Sequence, residues 1–181
     1  REWTKYQYNI NTGWQGSYDS LRVIGDKKGG SASRMLGKDP ELLDELHNTI
    51  DIPIRVIHVV RNPFDTFASR IKISEEWRES GIDRYFSNAK NVDIITNHLS
   101  ADEFHRIRYE DFVKKTNKNL ADLCCFLDLD PDEEYINTCA DFVFDSPKQT
   151  RHDIEMSDEL IDRIQNQKEN HKWLSDYNYN A

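Results

Sequence analysis

The stretch Ile54–Val60 reads Ile-Arg-Val-Ile-His-Val-Val and runs straight into Arg61-Asn62-Pro63. A nearly continuous β-branched run of this length suits a strand covered on both faces, as in a parallel sheet. Proline suits the first position of a helix, because its fixed φ is already helical and its missing N–H would find no partner there. Asn62 just ahead of it is a good N-cap. The spacing therefore predicts a strand, a sharp stop and a helix from Pro63 to about Glu76. It also leaves a cation, Arg61, at the carboxyl end of a buried strand, where a charge needs a reason.

The flanking segments fit the same architecture. Leu21 to Gly25 predicts a short strand ending in a glycine-bearing loop. In KDPELLDELHNTI, Asp39 is placed to cap a helix with Pro40 at its first position, and Leu42, Leu43, Leu46 and Ile50 give it an apolar face. Strand, helix, strand, helix in this order is a βαβα unit, which implies a parallel crossover. Residues 77–100 read as amphipathic helix. FHRIRY predicts a further strand ending at Tyr109, and a helix follows from about Thr116. DSPKQTRHDIE is a polar loop. Ser157 then caps the last helix, with Met156 and Ile161 placed as a hydrophobic staple. Residues 1–20 are aromatic and polar without a clean period and receive no assignment. The expected fold class is α/β, a parallel sheet flanked by helices.

Composition bounds the partners. At 181 residues, one domain spanning 1–181 is the simplest organisation. The net charge of −9 argues against a broadly basic nucleic-acid surface, though not against a local basic pocket. No apolar run approaches the roughly 18 residues of a membrane-spanning helix. Cys124, Cys125 and Cys139 are odd in number and lack a disulfide or zinc pattern, which points to reduced thiols, no metal site and a cytoplasmic location.

In an open α/β sheet, ligands bind beyond the carboxyl ends of the strands. A helix start next to Arg61 supplies backbone N–H groups and a positive dipole end, which favour an anion. Arg61 adds a planar fork matched to phosphate oxygens. Ser69 can donate a hydroxyl and shares a helix face with Asp65, a carboxylate better suited to orienting Arg61 or another basic group than to meeting an anion. The plainer alternative is a structural ion pair of Arg61 with Asp65 or Asp111.

VIHVVRNPFDTFAS resembles the 3′-phosphate-binding segment of sulfotransferases, whose usual form is an apolar strand followed by Arg-Asn/Asp-Pro-x-Asp-x-x-x-Ser. RIRYEDFVKKTNKNLADLCCFLDLD is similar to a later strand, Tyr-Glu-Asp turn and helix of that family. VIGDKKGG resembles its Gly-Glu/Asp-Lys-Ser-Pro segment, and SPKQTRHDIEMSDELIDRI resembles the basic loop and last helix of bacterial and carbohydrate-type members. Together these words span about residues 21–177, and their order and spacing carry most of the weight.

The resemblance implies a P-loop-like three-layer sandwich and transfer of a sulfuryl group from 3′-phosphoadenosine 5′-phosphosulfate (PAPS) to a hydroxyl or amine, leaving 3′-phosphoadenosine 5′-phosphate (PAP). It implies that Arg61 and Ser69 hold the donor's 3′-phosphate, that Tyr109 contacts its adenosine end, and that Arg151 and Lys148 lie on a loop closing over the same phosphate. Asp26 matches the catalytic glutamate of carbohydrate-type members, and Lys27 or Lys28 is placed to steady charge on the sulfuryl group. The plain alternatives are a core-packing Tyr109, solvated charges at Lys148 and Arg151, and Asp26 as a helix-capping carboxylate. Asp is shorter than Glu, and Lys28-Gly29-Gly30 departs from Ser-Pro.

The family's Pro-Lys-x-Gly-Thr-Thr loop, which binds the 5′-phosphosulfate, has no counterpart in the chain. Either it lies ahead of Arg1 in a longer parent, or the chain is a divergent member that lost the chemistry. The opening at Arg1 without a Met favours truncation, and a fragment lacking that loop is expected to have little or no activity. The expected acceptor is a small molecule or a carbohydrate. Two other classes stay open: a P-loop-related kinase-like enzyme, suggested by the glycines of GDKKGGS, and a non-catalytic nucleotide- or partner-binding domain.

Overall fold

The computed structural model describes residues 20–27 and 29–180. The chain divides into two compact units. The larger contains residues 27–108 and 148 onward. It holds helices α1 (Gly29–Lys38) and α2 (Glu41–Thr49), strand β1 (Val56–Val60), helices α3 (Pro63–Ile71) and α4 (Gly81–Asn97) and strand β2 (Phe104–Arg108). The smaller unit holds residues 20–26 and three helices: α5 (Tyr109–Lys114), α6 (Thr116–Phe126) and α7 (Glu133–Ala140). The chain then returns to the larger unit through a 3₁₀ turn, Thr150–His152, and the last helix, α8 (Asp158–Lys168).

β1 and β2 pair in parallel, with Val56 opposite Phe104 and Val60 opposite Arg108. A parallel pair needs a long crossover, and α3 and α4 supply it. The result is an α/β fold with a two-stranded parallel sheet flanked by helices, consistent with the P-loop-like fold that the resemblance implies. One helical layer is a core of Val60, Phe64, Phe67 and Ile71 with Ile82 and Phe86 of α4 and Leu160 and Ile164 of α8. Met156 is buried in that core and Ile161 packs against it, while Ser157 Oγ accepts from Leu160 N at 3.3 Å, so the predicted cap forms.

Several expectations are corrected. Leu21 to Gly25 is not a strand: it is exposed, with Leu21 at 56% and Ile24 at 79%, and a strand needs a neighbour to complete its hydrogen bonds. The expected loop after it is largely helix α1. Its two opening glycines speak against a helix by propensity, and its close approach to α4 comes farther along, at Gly37. A Cβ placed on Gly37 would fall 2.4 Å from that of Asn91.

Asp39 does not cap α2. Its N–H bonds the Met35 carbonyl at 3.1 Å, prolonging α1, and Pro40 takes the position before Glu41. β1 is open on one face rather than covered on both, since Ile57 and Val59 are 40% and 63% exposed. The sequence pattern does not anticipate helices α5 and α7. Among the described residues no helix is long and apolar enough to cross a membrane, and Cys124, Cys125 and Cys139 are free thiols.

Candidate functional site

The end of β1 is built as its residue types dictate. Asn62 Oδ1 accepts from Phe64 N at 3.0 Å, and the Asn62 carbonyl accepts the first intrahelical bond, from Thr66 N, at 3.0 Å. Pro63 takes the first helical position. This fixes the direction of α3, and with it where Asp65 and Ser69 lie relative to Arg61.

Arg61 and Ser69 meet directly. Arg61 Nη1 donates to Ser69 Oγ at 3.3 Å, and Nη2 donates to the Lys148 carbonyl at 2.6 Å and to Thr150 Oγ1 at 3.2 Å. These three oxygens are neutral. Ser69 Oγ and Thr150 Oγ1 lie 3.0 Å apart, and Thr150 Oγ1 also donates to the Asp65 carbonyl at 2.8 Å. A guanidinium, two hydroxyls and a helix start thus converge at one strand end, the combination that suits an anion with several oxygens.

Asp65 and Arg151 form a separate, buried pair. Arg151 Nη1 donates to Asp65 Oδ2 at 2.6 Å and its backbone N–H to Oδ1 at 2.9 Å, while Nε donates to the Tyr179 carbonyl at 2.8 Å. Both carboxylate oxygens of Asp65 are therefore engaged by Arg151 and not by Arg61. The expectation of Arg151 as a loop cation reaching over a phosphate meets a buried side chain, 2% exposed, whose fork is turned onto Asp65 and the backbone. Lys148 is exposed, and it is its backbone carbonyl that orients Arg61. Thr150 was missed: one threonine in a polar loop gives no signal until the loop is seen against α3.

Tyr109 is half-buried as the first residue of α5, in the smaller unit. Asp26 and Lys27 are exposed in the segment before α1, and Lys28 lies outside the described residues.

A second polar cluster sits on the strand pair. Arg106 Nε donates to His58 Nδ1 at 3.1 Å across the sheet, and its guanidinium carbon lies 5.0 Å and 5.1 Å from the ring centres of Phe104 and Trp173. Asp93 of α4 accepts from Trp173 Nε1 at 2.7 Å and pairs through its other oxygen with His171 Nδ1. Burial, reinforced by Arg106 and opposed by Asp93, lowers the His58 pKa to about 4. Burial likewise lowers that of Arg106.

In open α/β sheets, ligands bind beyond the carboxyl ends of the strands, and the polar, cation-bearing cluster around Arg61 lies at such an end. The comparison with known families is specific: the sequence profile of the Sulfotransferase family matches residues 14–134, more than half of the chain. The chain belongs to the sulfotransferase family. The matched span contains Asp26, Arg61, Ser69 and Tyr109 and stops before Lys148, Thr150 and Arg151. No curated protein and no solved structure matches the chain.

Proposed function

We propose that this domain serves transfer of a sulfuryl group from PAPS to a hydroxyl or amine of a small-molecule or carbohydrate acceptor, with Arg61 and Ser69 receiving the donor's 3′-phosphate. The observation that carries the reading is the direct Arg61–Ser69 contact, 3.3 Å, beside the start of α3. Family membership supports sulfuryl transfer, and the strand-end site supports a phosphate-bearing donor.

Each residue has a role that its chemistry permits. Arg61 offers two terminal nitrogens in one plane, suited to bidentate contact with phosphate oxygens. Ser69 and Thr150 offer hydroxyls that switch between donating and accepting as an anion arrives. Lys148 is the mobile-stemmed cation of the same loop, placed to add charge at the phosphate. Tyr109 is the residue for the adenosine end. Asp26 is the base for the acceptor proton, a task that calls for a carboxylate within hydrogen-bond reach of the acceptor. The donor supplies the activated sulfuryl group, and the chain's part is to bind, orient and deprotonate.

Calorimetric titration with PAP tests the reading. The intact protein should bind PAP and discriminate against ATP, and Arg61→Ala should abolish binding with the fold retained. Equal binding of ATP and PAP, or an Arg61→Ala protein that binds PAP normally, would overturn the assignment.

A further inference from the structure

The segment after α8 returns to the strand-end site. Lys168 Nζ donates to the Ser175 carbonyl at 2.9 Å, and Leu174 and Tyr177 are buried in the core. The next two residues reach the site's scaffold. The Asn178 carbonyl accepts from Asn62 Nδ2 at 3.2 Å, and the Tyr179 carbonyl accepts from Arg151 Nε at 2.8 Å. The Tyr179 ring stands edge-on to Phe64, with centroids 5.5 Å apart, and 5.9 Å from the His152 ring. Its hydroxyl lies 3.5 Å from the Arg151 carbonyl.

These contacts join two pieces that the site needs together. Asn62 and Phe64 belong to the start of α3, beside Arg61. Arg151 and His152 belong to the turn that carries Thr150, and the Lys148 carbonyl two residues earlier sets the direction of the Arg61 fork. We infer that residues 177–180 are a positioning strap for the Arg61–Ser69 site: they clamp the 148–152 turn to the start of α3, so that ordering of the strap and binding of a 3′-phosphorylated nucleotide favour each other. This rests on the proposed role of Arg61 and Ser69. If the strap helps the site bind, a ligand in the site must stabilise the strap by the same factor, because coupling between two sites is reciprocal. A strap that merely adds stability to the whole fold carries no such local linkage.

The test is hydrogen exchange on the intact chain with and without PAP, beside PAP titration of Tyr179→Ala and Tyr179→Phe. Saturating PAP should slow exchange of the amides of residues 176–180 by about fivefold or more, a typical lower bound for coupled sites, while α2 amides are unchanged. The effect should vanish in Arg61→Ala. Tyr179→Ala should bind PAP about tenfold more weakly, and Tyr179→Phe, which keeps the ring on Phe64, should bind within about twofold of the parent. Should Tyr179→Ala fail to fold, the exchange measurement on the unaltered chain decides alone. Normal PAP binding with no local change in exchange overturns the strap and leaves the proposed function standing. Absence of PAP binding by the unaltered chain overturns both.

Discussion

Arg151 Nη1 lies 2.6 Å from Asp65 Oδ2, and each side chain is 2% exposed. The pair joins the first turn of α3 to the 148–152 turn across 86 positions of sequence. Asp65 also sits where the positive end of a helix favours an anion. Its second oxygen is held by the Arg151 backbone N–H, so the carboxylate is satisfied as a buried charge must be.

Removing one partner strands the other charge away from water. Asp65→Ala and Arg151→Ala should each destabilise the protein by about 3–5 kcal/mol, measured by urea unfolding. Arg151→Lys should rescue little, because one ammonium cannot reproduce contacts to Asp65 and to the Tyr179 carbonyl at once. A fully stable Arg151→Ala protein would show that the pair is dispensable to the scaffold.

Thr150 makes a more selective prediction. Its hydroxyl is shared among Arg61, Ser69 and the Asp65 carbonyl. Thr150→Val keeps the shape and removes the hydroxyl, leaving part-buried partners short of a hydrogen bond at a cost of about 1–3 kcal/mol. Thr150→Ser keeps the hydroxyl and should stay near the parent. PAP affinity should follow the hydroxyl, falling in the valine variant and holding in the serine one. Calorimetry on the two variants side by side checks this, and equal affinities would remove Thr150 from the site.

What the sequence revealed and what it hid divide along physical lines. The Asn62 cap, Pro63 at the helix start and the strand before them are encoded within a few residues, so the strand end and the Arg61–Ser69 approach were legible. The position of Asp65 suits it to orient a basic group, but which one depends on an arginine 86 positions away that no local spacing can identify. α1 was hidden because its glycines speak against a helix when read alone, and for Gly37 the reason is a close approach to Asn91 of α4 that sequence spacing does not show. Leu21 to Gly25 failed in the opposite sense: its residues favour a strand, but pairing decides whether one forms. The open Ile57 and Val59 face shows the same limit, since a β-branched run does not specify what covers it.

His58 sets a pH dependence. Its usual pKa of 6.5 falls to about 4 through burial first and Arg106 second, with Asp93 acting against both. Nδ1 accepts the Arg106 Nε–H, so protonation would set donor against donor. Below pH 6.5 the unfolded chain takes up a proton that the folded protein refuses until about pH 4. This contribution to stability is therefore present in full above pH 6.5 and declines as pH falls through that window, by on the order of 3 kcal/mol at most. Urea unfolding between pH 7 and 4, with NMR titration of the His58 ring, checks both parts. Arg106→Met should raise the His58 pKa without restoring 6.5, because burial remains. A His58 ring that titrates normally in the parent would contradict the account.

Gly37 sets how closely α1 approaches α4. The ideal Cβ position lies 2.4 Å from Asn91 Cβ and 2.5 Å from its Cγ, distances that side chains do not tolerate. The obstructing atoms begin at Cβ, which a change of rotamer cannot move, so α1 itself must shift away from α4. In an exposed helix, Gly→Ala would gain up to about 1 kcal/mol from propensity. Here overpacking should outweigh that gain, and Gly37→Ala should destabilise by about 1–3 kcal/mol. Gly30 is the internal control. Its added Cβ would meet only the end of the flexible Arg34 side chain, at 3.7 Å, so Gly30→Ala should be neutral or stabilising. Thermal unfolding should fall to lower temperature in Gly37→Ala and stay unchanged or rise in Gly30→Ala. If both were stabilised, α1 would not be packed on α4 as described, and the helix would stand on propensity alone.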